Sequence, residues 1–264
     1  MGSSKAHRLE FFAKHPFCCF CGGMAHSEEL DHVPSRVLFD SRQWPEGFEF
    51  PACVPCNRAS RHDEQVVAML SRMYPDPTTE EGRREVNERI RAVAHNFPEI
   101  LLEMRPTAEQ DKTAVEKYGL EHLRMPDGQL PIFSARGLRL NAAIGNFSRK
   151  LFCALYYRHA AFILPVGGGI AMRWFTNVQI DADEIPRSLA PLVSNFPMLE
   201  RARTKLDDQF FYRWVVAEER SVAVFLAFFR RSFAILGYVS RNTEDLTDTD
   251  GATIIQPYRH LKVL

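Results

Sequence analysis

Residues 17–23 read FCCFCGG, and residues 52–57 read ACVPCN. The two stretches contain two Cys-x-x-Cys pairs: Cys18 with Cys21, and Cys53 with Cys56. A turn that carries such a pair directs two sulfurs at one point, and tetrahedral zinc takes four ligands. The sequence therefore predicts a structural Zn²⁺ site whose ligands are these four thiolates.

Two unrelated cysteine pairs, one of them redox-active, are the alternative interpretation. Disulfides are disfavoured because the N-terminus contains no apolar signal core, so we expect a cytoplasmic, reducing location. Two further cysteines lie outside the pairs. Cys19 is the spare residue of the first turn and is not expected to be a ligand. Cys153 lies in the apolar run RKLFCALYY, where a thiol packs as a small hydrophobic side chain.

Between the two pairs lies DHVPSRVLF, residues 31–39, and Asn57 follows Cys56 directly. Together with the flanking CxxCG and PACVPCN, these residues resemble the HNH endonucleases, which have the ββα-metal fold. The sequence is most similar to the zinc-bearing branch, in which two Cys-x-x-Cys pairs bracket the catalytic strand and helix. Phage endonucleases that resolve branched DNA share that arrangement. The resemblance covers residues 15–70.

The resemblance implies a metal-dependent endonuclease that hydrolyses phosphodiester bonds in DNA, with RNA as the alternative substrate. Asp31 and Asn57 would hold a divalent cation through their oxygen atoms, Mg²⁺ or Mn²⁺, which would clamp the phosphate and stabilise the leaving group. His32 would be the general base, because the ordinary pKa of histidine lies near neutral pH. Similar bacterial HNH proteins imply a role in phage defence or in a mobile element.

Each of these residues also has a structural interpretation. Asp31 is compatible with a turn or cap, His32 with a buried interior position, and Asn57 with the cap of a following helix. Adjacent side chains on a strand point to opposite faces, so Asp31 and His32 reach one site only if the backbone leaves the regular strand, as Pro34 indicates. The stretch PEGFEFPAC lacks the middle Asn that many HNH motifs carry before the second Cys-x-x-Cys pair.

Two more residues are candidates for the site. If a helix begins at Asn57, Arg61 and Glu64 lie on its face, four and seven residues further along. Glu64 would then be an additional metal ligand and Arg61 a phosphate contact. The alternative is that Ser60 caps a new helix with QVVAMLSRM as its body.

The predicted fold class is α+β. We expect a zinc-stapled ββα-metal domain over residues 1–75, a helical linker region over 76–130, and an α+β domain over 131–264 with a long helix and an antiparallel sheet. Helices are predicted at 85–104, broken by Pro98, and then at 114–123, 138–163 and 185–203. A hairpin is predicted around the glycines at 167–169, then the strands FFYRWVVA, SVAVFLAFF and FAILGYVS. The last 24 residues are expected to be largely irregular.

The charge balance is uneven along the chain. The total is 33 basic against 33 acidic residues, which by itself argues against a nucleic-acid-binding protein. No Asp or Glu, however, occurs from residue 128 to 180, where six cations lie: Arg136, Arg139, Arg149, Lys150, Arg158 and Arg173. A basic stripe on the long helix would attract a phosphate backbone. The alternative is that these cations pair with the acidic segment 76–130.

Three functions remain open at this stage: a metal-dependent endonuclease, a zinc-stabilised nucleic-acid-binding protein without cleavage, and a nuclease effector that is silent until its C-terminal domain senses a partner or ligand. A homodimer or a regulatory partner fits each of them. A membrane partner is not expected, because no 18 consecutive residues are apolar.

Overall fold

The computed structural model describes residues 2–189, 191, 193–246 and 251–259. The fold is α+β, as predicted. Its N-terminal part contains the α-helices and strands α1 (Gly2–Lys14), β1 (Glu29–His32), β2 (Glu49–Ala52), α2 (Val54–Ala59) and α3 (Arg61–Leu70). β1 and β2 form a two-stranded antiparallel sheet in which Asp31 is opposite Phe50 and His32 is opposite Glu49. Two strands followed by a helix is the ββα order that the sequence predicts for this region.

The middle of the chain is helical: α4 (Glu80–Asn96), α5 (Pro98–Glu103) and α6 (Ala108–Tyr118). Pro98 separates α4 from α5, which confirms the predicted break, because proline lacks the N–H that would continue the first helix. The helix predicted at 114–123 begins earlier, at Ala108, and ends at Tyr118. Gly119, with φ of 65°, ends it in the left-handed conformation that glycine adopts without cost.

The C-terminal part contains the elements α7 (Leu138–Ala160), β3 (Gly169–Thr176), α8 (Asn177–Asp181), β4 (Glu200–Arg201), β5 (Thr204–Lys205), β6 (Phe210–Val216), β7 (Val222–Phe229), β8 (Phe233–Ser240) and β9 (Thr253–Ile255). Five strands form one antiparallel sheet in the order β6-β7-β8-β3-β9, and β4 and β5 form a separate two-stranded hairpin. The predicted long helix and the three predicted strands are confirmed.

The predicted glycine hairpin is wrong. The glycines lead into β3, which pairs with β8 on one side and β9 on the other. Gly168 is needed for close packing, because a Cβ there would lie 2.8 Å from the side chain of Leu164 and 2.8 Å from the carbonyl oxygen of Ser240. The last 24 residues, which were expected to be largely irregular, contain the strand β9.

The helix predicted at 185–203 is also wrong within the described residues. That range contains a short 3₁₀ turn at Arg187–Leu189 and then β4. Pro191 and Pro197 lie inside the range of the predicted helix, and each lacks the backbone N–H that a helix interior needs. Residues 190 and 192 of this range, and residues 247–250 and 260–264 of the C-terminal tail, lie outside the described residues.

The α7 helix is the centre of the core. One buried hydrophobic cluster extends from the cysteines near the N-terminus through α7 to the five-stranded sheet, and it includes residues from all three predicted regions. Phe152 of α7 packs so closely on β8 that a Cβ on Gly237 would lie 2.6 Å from its ring. On its other side α7 packs against α3. This helix therefore lies directly behind the ββα segment. Among the described residues, no helix is long and apolar enough to cross a membrane.

Candidate active site and metal centre

Four cysteines meet at one point in the N-terminal part. The sulfur atoms of Cys18, Cys21, Cys53 and Cys56 all lie within 4.8 Å of one another, and all four residues are buried. Four thiolates around tetrahedral zinc, each with a Zn–S bond of about 2.3 Å, would have their sulfurs about 3.8 Å apart. The structure therefore brings the four predicted ligands within metal-binding distance, in an arrangement compatible with a structural zinc site.

Local backbone geometry places the first pair. The backbone N–H of Cys18 donates to the carbonyl of Ala25, and the N–H of Gly23 donates to the carbonyl of Cys18. Gly22, with φ of 68°, turns the chain, and a Cβ there would lie 2.6 Å from Val166. The second pair lies at the start of α2, where Cys53 is the N-cap residue. A turn and a helix start, both held by backbone hydrogen bonds, thus direct the four sulfurs at one point.

The electrostatics of the cluster favour a cation. The hydrogen bond with Cys21 raises the pKa of Cys18 to about 12, and the hydrogen bond with Cys18 lowers the pKa of Cys21 to about 2. Hydrogen bonds to Cys18 and Cys21 raise the pKa of Cys56. Without a metal ion, four adjacent thiols cannot all lose their protons, because the thiolates repel one another. A bound metal ion, in contrast, deprotonates each of its thiol ligands.

The other two cysteines are buried outside this cluster. Burial raises the pKa of Cys19 well above its usual value and raises that of Cys153 to about 12. Both thiols are therefore protonated at neutral pH, which agrees with the expectation that they pack as small hydrophobic side chains.

Asp31 and His32 lie on opposite faces of β1. Asp31 is 7% exposed and faces α7, where the ammonium of Lys150 lies 2.6 Å from its Oδ2. His32 faces the loop that follows β1, where it contacts Arg36 and Trp44. The regular strand extends through His32, so the side chains alternate as strand geometry requires. The two residues are therefore close in sequence but lie in different environments.

Lys150 is held by three oxygen atoms. Besides Asp31, its Nζ lies 2.9 Å from Oε1 of Glu64 and donates to the carbonyl oxygen of Asn57 at 3.4 Å. The side chain is 2% exposed. Burial opposes its charge, yet the two carboxylates raise the pKa of Lys150. Burial raises the pKa of Asp31 to about 6, although Lys150 opposes that shift. The carboxylate predicted to bind a divalent cation is thus paired with an internal ammonium.

Asn57 and Glu64 are brought to this buried group, whereas Arg61 is exposed. The side-chain Nδ2 of Asn57 donates to Oε2 of Glu29 at 2.5 Å. Glu64 also accepts a hydrogen bond from Oγ of Ser60 at 2.7 Å. Ser60 occupies the N-cap position of α3, so the alternative in which a new helix begins after Ser60 is confirmed, although its side chain makes no capping hydrogen bond.

His32 is neutral in this structure. Nη2 of Arg36 lies 2.7 Å from Nε2 of His32, and because a guanidinium only donates, Nε2 accepts and Nδ1 carries the proton. Burial, with the charges of Arg36 and Arg201, lowers the pKa of His32 to about 4. The carboxylate of Glu49 lies 3.8 Å from Nε2, but a neutral ring forms no ion pair with it. His32 therefore favours the neutral form that a general base requires, but a pKa of about 4 makes it a weaker base than the near-neutral histidine expected from the sequence.

The predicted basic stripe on α7 is wrong for two of its residues. Lys150 is buried between Asp31 and Glu64, and Arg139 pairs with Glu103 of the acidic segment at 2.7 Å. The interpretation that these cations pair with the segment 76–130 is confirmed for Arg139. Lys150 does not pair with that segment; it neutralises two carboxylates of the ββα segment instead.

Sequence reasoning missed the roles of Lys150, Trp44 and Arg201. A signal existed for Lys150, because it lies on the apolar face of α7, three residues after Phe147 and four before Ala154, where a charge needs a buried partner. No comparable signal existed for Arg201. It reaches the surroundings of His32 only because the β4–β5 hairpin folds back onto the N-terminal part.

Searches of protein-family models, of curated proteins and of solved structures find no match for this chain. The HNH resemblance therefore rests on the residues quoted from the sequence and stays a prediction.

The residues around Asp31 do not fit a divalent cation as they are arranged. Apart from the four cysteines, the described part of the chain contains no group of three or more His, Cys, Asp or Glu side chains placed to hold a metal ion. Asp31 and Glu64 already neutralise Lys150, and the amide of Asn57 is engaged with Glu29. A cation at Asp31 would have to displace a buried ammonium with a raised pKa.

Proposed function

We propose that this protein is a zinc-stabilised endonuclease that hydrolyses phosphodiester bonds in DNA, with His32 as its general base. The observation that carries the proposal is the neutral His32, beside the cations Arg36 and Arg201, on a strand that lies between the two cysteine pairs. A neutral imidazole accepts a proton from water, and guanidinium groups bind phosphate.

The chemistry follows from these two roles. His32 takes a proton from an attacking water as the water oxygen bonds to phosphorus. The bond from phosphorus to the leaving oxygen then breaks, and that oxygen takes up a proton from solvent. Nearby guanidinium groups stabilise the negative charge that grows on the phosphate oxygens. Arg36 must release Nε2 of His32 for this step, and an incoming phosphate, as a charged acceptor, is a better partner for it than a neutral ring.

No step of this proposal runs through Mg²⁺ or Mn²⁺. The divalent cation implied by the HNH resemblance would take Asp31 as a ligand, and Lys150 is paired with that carboxylate. We therefore expect cleavage without an added divalent ion. The zinc has a different task, since a four-thiolate site has no open position for substrate and contributes to folding.

The test uses supercoiled plasmid, linear DNA, branched DNA and RNA, each incubated with Mg²⁺, with Mn²⁺ or with a chelator. His32→Ala is expected to abolish cleavage. His95→Ala, which changes an exposed histidine at the end of α4, is the matched control and is expected to retain it. Cleavage that survives in His32→Ala would refute the assignment of the base. Cleavage that strictly requires Mg²⁺ would show that Lys150 leaves Asp31.

A specific observation favours a second candidate, a nucleic-acid-binding protein without cleavage. The ion pair between Lys150 and Asp31 replaces the predicted metal contact with an interaction that needs no cofactor. Tight binding of DNA or RNA with no product under any of these conditions would support this candidate. Cleavage that starts only after a partner or a ligand is added would instead indicate an effector that is silent alone, as in phage defence.

A further inference from the structure

Trp44 lies between two arginines. The guanidinium carbon of Arg36 is 3.6 Å from the centroid of the Trp44 ring, and that of Arg201 is 3.7 Å from it. Arg36 follows β1, whereas Arg201 belongs to β4 in the C-terminal part. Two cations held beside one ring repel each other. Among the described residues, neither guanidinium has a carboxylate oxygen within 4.0 Å, so neither forms an ion pair, and Glu49 offsets the positive charge only from a greater distance.

The group also has unused hydrogen-bond donors. Nε of Arg36 and Nε1 of Trp44 are buried and have no hydrogen-bond partner within the described residues. A buried donor without a partner destabilises a fold, so such atoms indicate a partner of the opposite kind. Both atoms only donate, and both lie in a positive environment. The complementary ligand is an oxyanion.

The hairpin that carries Arg201 is fixed against the loop of Trp44. The backbone N–H of Glu46 donates to the carbonyl of Glu200, and the N–H of Ala202 donates to Oε1 of Glu46, both at 3.0 Å. The carboxylate of Glu46 is thereby engaged with the hairpin. Glu49, the other acidic residue near the group, lies 3.8 Å from Nε2 of His32. The backbone on both sides of Arg201 is therefore anchored to Glu46, and its guanidinium packs on the Trp44 ring.

We propose that Arg36 and Arg201 bind one backbone phosphate of a nucleic acid next to His32, and that the C-terminal part of the chain thus supplies half of the phosphate site. Guanidinium groups stacked on an indole ring present their N–H edges outward, in the planar geometry that matches phosphate oxygens. The choice of a nucleic acid as the ligand rests on the proposed function, whereas the donors and the charge select an oxyanion.

The test measures binding of a short fluorescein-labelled DNA duplex, and of RNA with the same sequence, to the zinc-loaded full chain by fluorescence anisotropy. Arg201→Ala is expected to weaken binding about tenfold and to lower the slope of log affinity against log salt by about 1. Arg203→Ala removes an exposed arginine of the same hairpin, two residues away, and is the matched control. We expect it to change affinity by no more than about twofold.

A second readout comes from Trp44 itself. Duplex binding is expected to change the emission of the wild-type chain, and Trp44→Phe is expected to remove that change. Arg201→Lys keeps the charge but loses the planar stacking, so its affinity should lie between those of wild type and Arg201→Ala. Circular dichroism and zinc content establish that each variant is folded. If Arg201→Ala does not fold, Arg201→Lys serves as the test.

Each remaining outcome decides the proposal. Equal losses in Arg201→Ala and Arg203→Ala would overturn it, because they indicate a diffuse basic surface. A wild-type chain that binds neither duplex nor RNA would overturn it. An emission change that inorganic phosphate causes and that neither duplex nor RNA causes would also overturn it. Duplex binding that depends on Arg201 without any cleavage would refute the proposed function but support this site.

Discussion

At the scale of single residues, Lys150 is enclosed by Asp31 and Glu64 and is only 2% exposed. Removing one partner of a buried ion pair leaves the other charges uncompensated, which costs about 3–5 kcal/mol. We therefore expect Lys150→Met to lower the free energy of unfolding by about that amount, measured by urea denaturation. Lys112→Met, which breaks an exposed pair with Glu116 on α6, should change it by less than about 0.5 kcal/mol. Equal effects of both substitutions would contradict the buried pairing.

A second substitution at Lys150 tests why a divalent cation does not fit. With Lys150 changed to Ala, the carboxylates of Asp31 and Glu64 would remain together in a buried space without a counter-charge. Such oxygen ligands suit Mn²⁺. We expect the zinc-loaded Lys150→Ala chain to bind one Mn²⁺, observed as loss of the free-ion signal in electron paramagnetic resonance, whereas the wild type binds none. Binding of Mn²⁺ by the wild type would show that the ammonium does not exclude the ion.

His32 gives a prediction about pH. Burial and two arginines lower its pKa to about 4, below the ordinary value of about 6.5. The unfolded chain therefore binds more protons than the native state between these values, and His32 makes the native state less stable as the pH falls through this window. The ring resonance of His32, assigned in an NMR spectrum by its loss in His32→Gln, should not titrate between pH 5 and 8. Arg201→Ala should raise this pKa, since the charge of Arg201 helps to lower it.

At the scale of elements, the two cysteine pairs lie in a turn and at a helix start, and a zinc ion bound by all four thiolates would join these two elements. We expect Cys53→Ser to lose zinc and to unfold the N-terminal part, because metal binding in such small modules contributes folding free energy. Zinc content by mass spectrometry and the far-ultraviolet circular dichroism spectrum measure both effects. Cys19→Ala, in the same turn but outside the cluster, should retain one zinc per chain. A soluble, zinc-free Cys53→Ser chain with an unchanged spectrum would contradict a structural role.

Features that depend on residues close together in the sequence could be predicted, whereas contacts between distant segments could not. The four cysteines and the strand containing Asp31 and His32 were predictable, because spacing and alternation are local properties. The helix predicted over 185–203 was not correct, since Pro191 and Pro197 interrupt what would have been its interior. Neither Lys150 beside Asp31 nor Arg201 beside Trp44 could be placed, because each contact joins segments far apart in sequence. The cysteine cluster was therefore predictable, whereas the charges around both faces of β1 were not.

At the scale of the whole molecule, the ββα segment shares its core with the rest of the chain. Val67 and Leu70 of α3 and Phe48 before β2 are at most 2% exposed, and they belong to the same buried cluster as α7 and the sheet. The carboxylates of Asp31 and Glu64 likewise find their counter-charge on α7.

This shared core predicts that residues 1–75 do not fold alone even with zinc. Cutting the chain there exposes the apolar face that α7 covers and removes Lys150, so the fragment loses both hydrophobic burial and the neutralisation of two carboxylates. We expect its NMR spectrum with one equivalent of Zn²⁺ to show dispersed amide resonances only near the four cysteines, whereas the full chain is dispersed throughout. Lys150→Met in the full chain separates the two contributions, since it removes the charge and keeps the apolar cover. A zinc-loaded fragment with a fully dispersed spectrum would establish an independently folding domain and would assign Lys150 and Arg201 to an interface between domains.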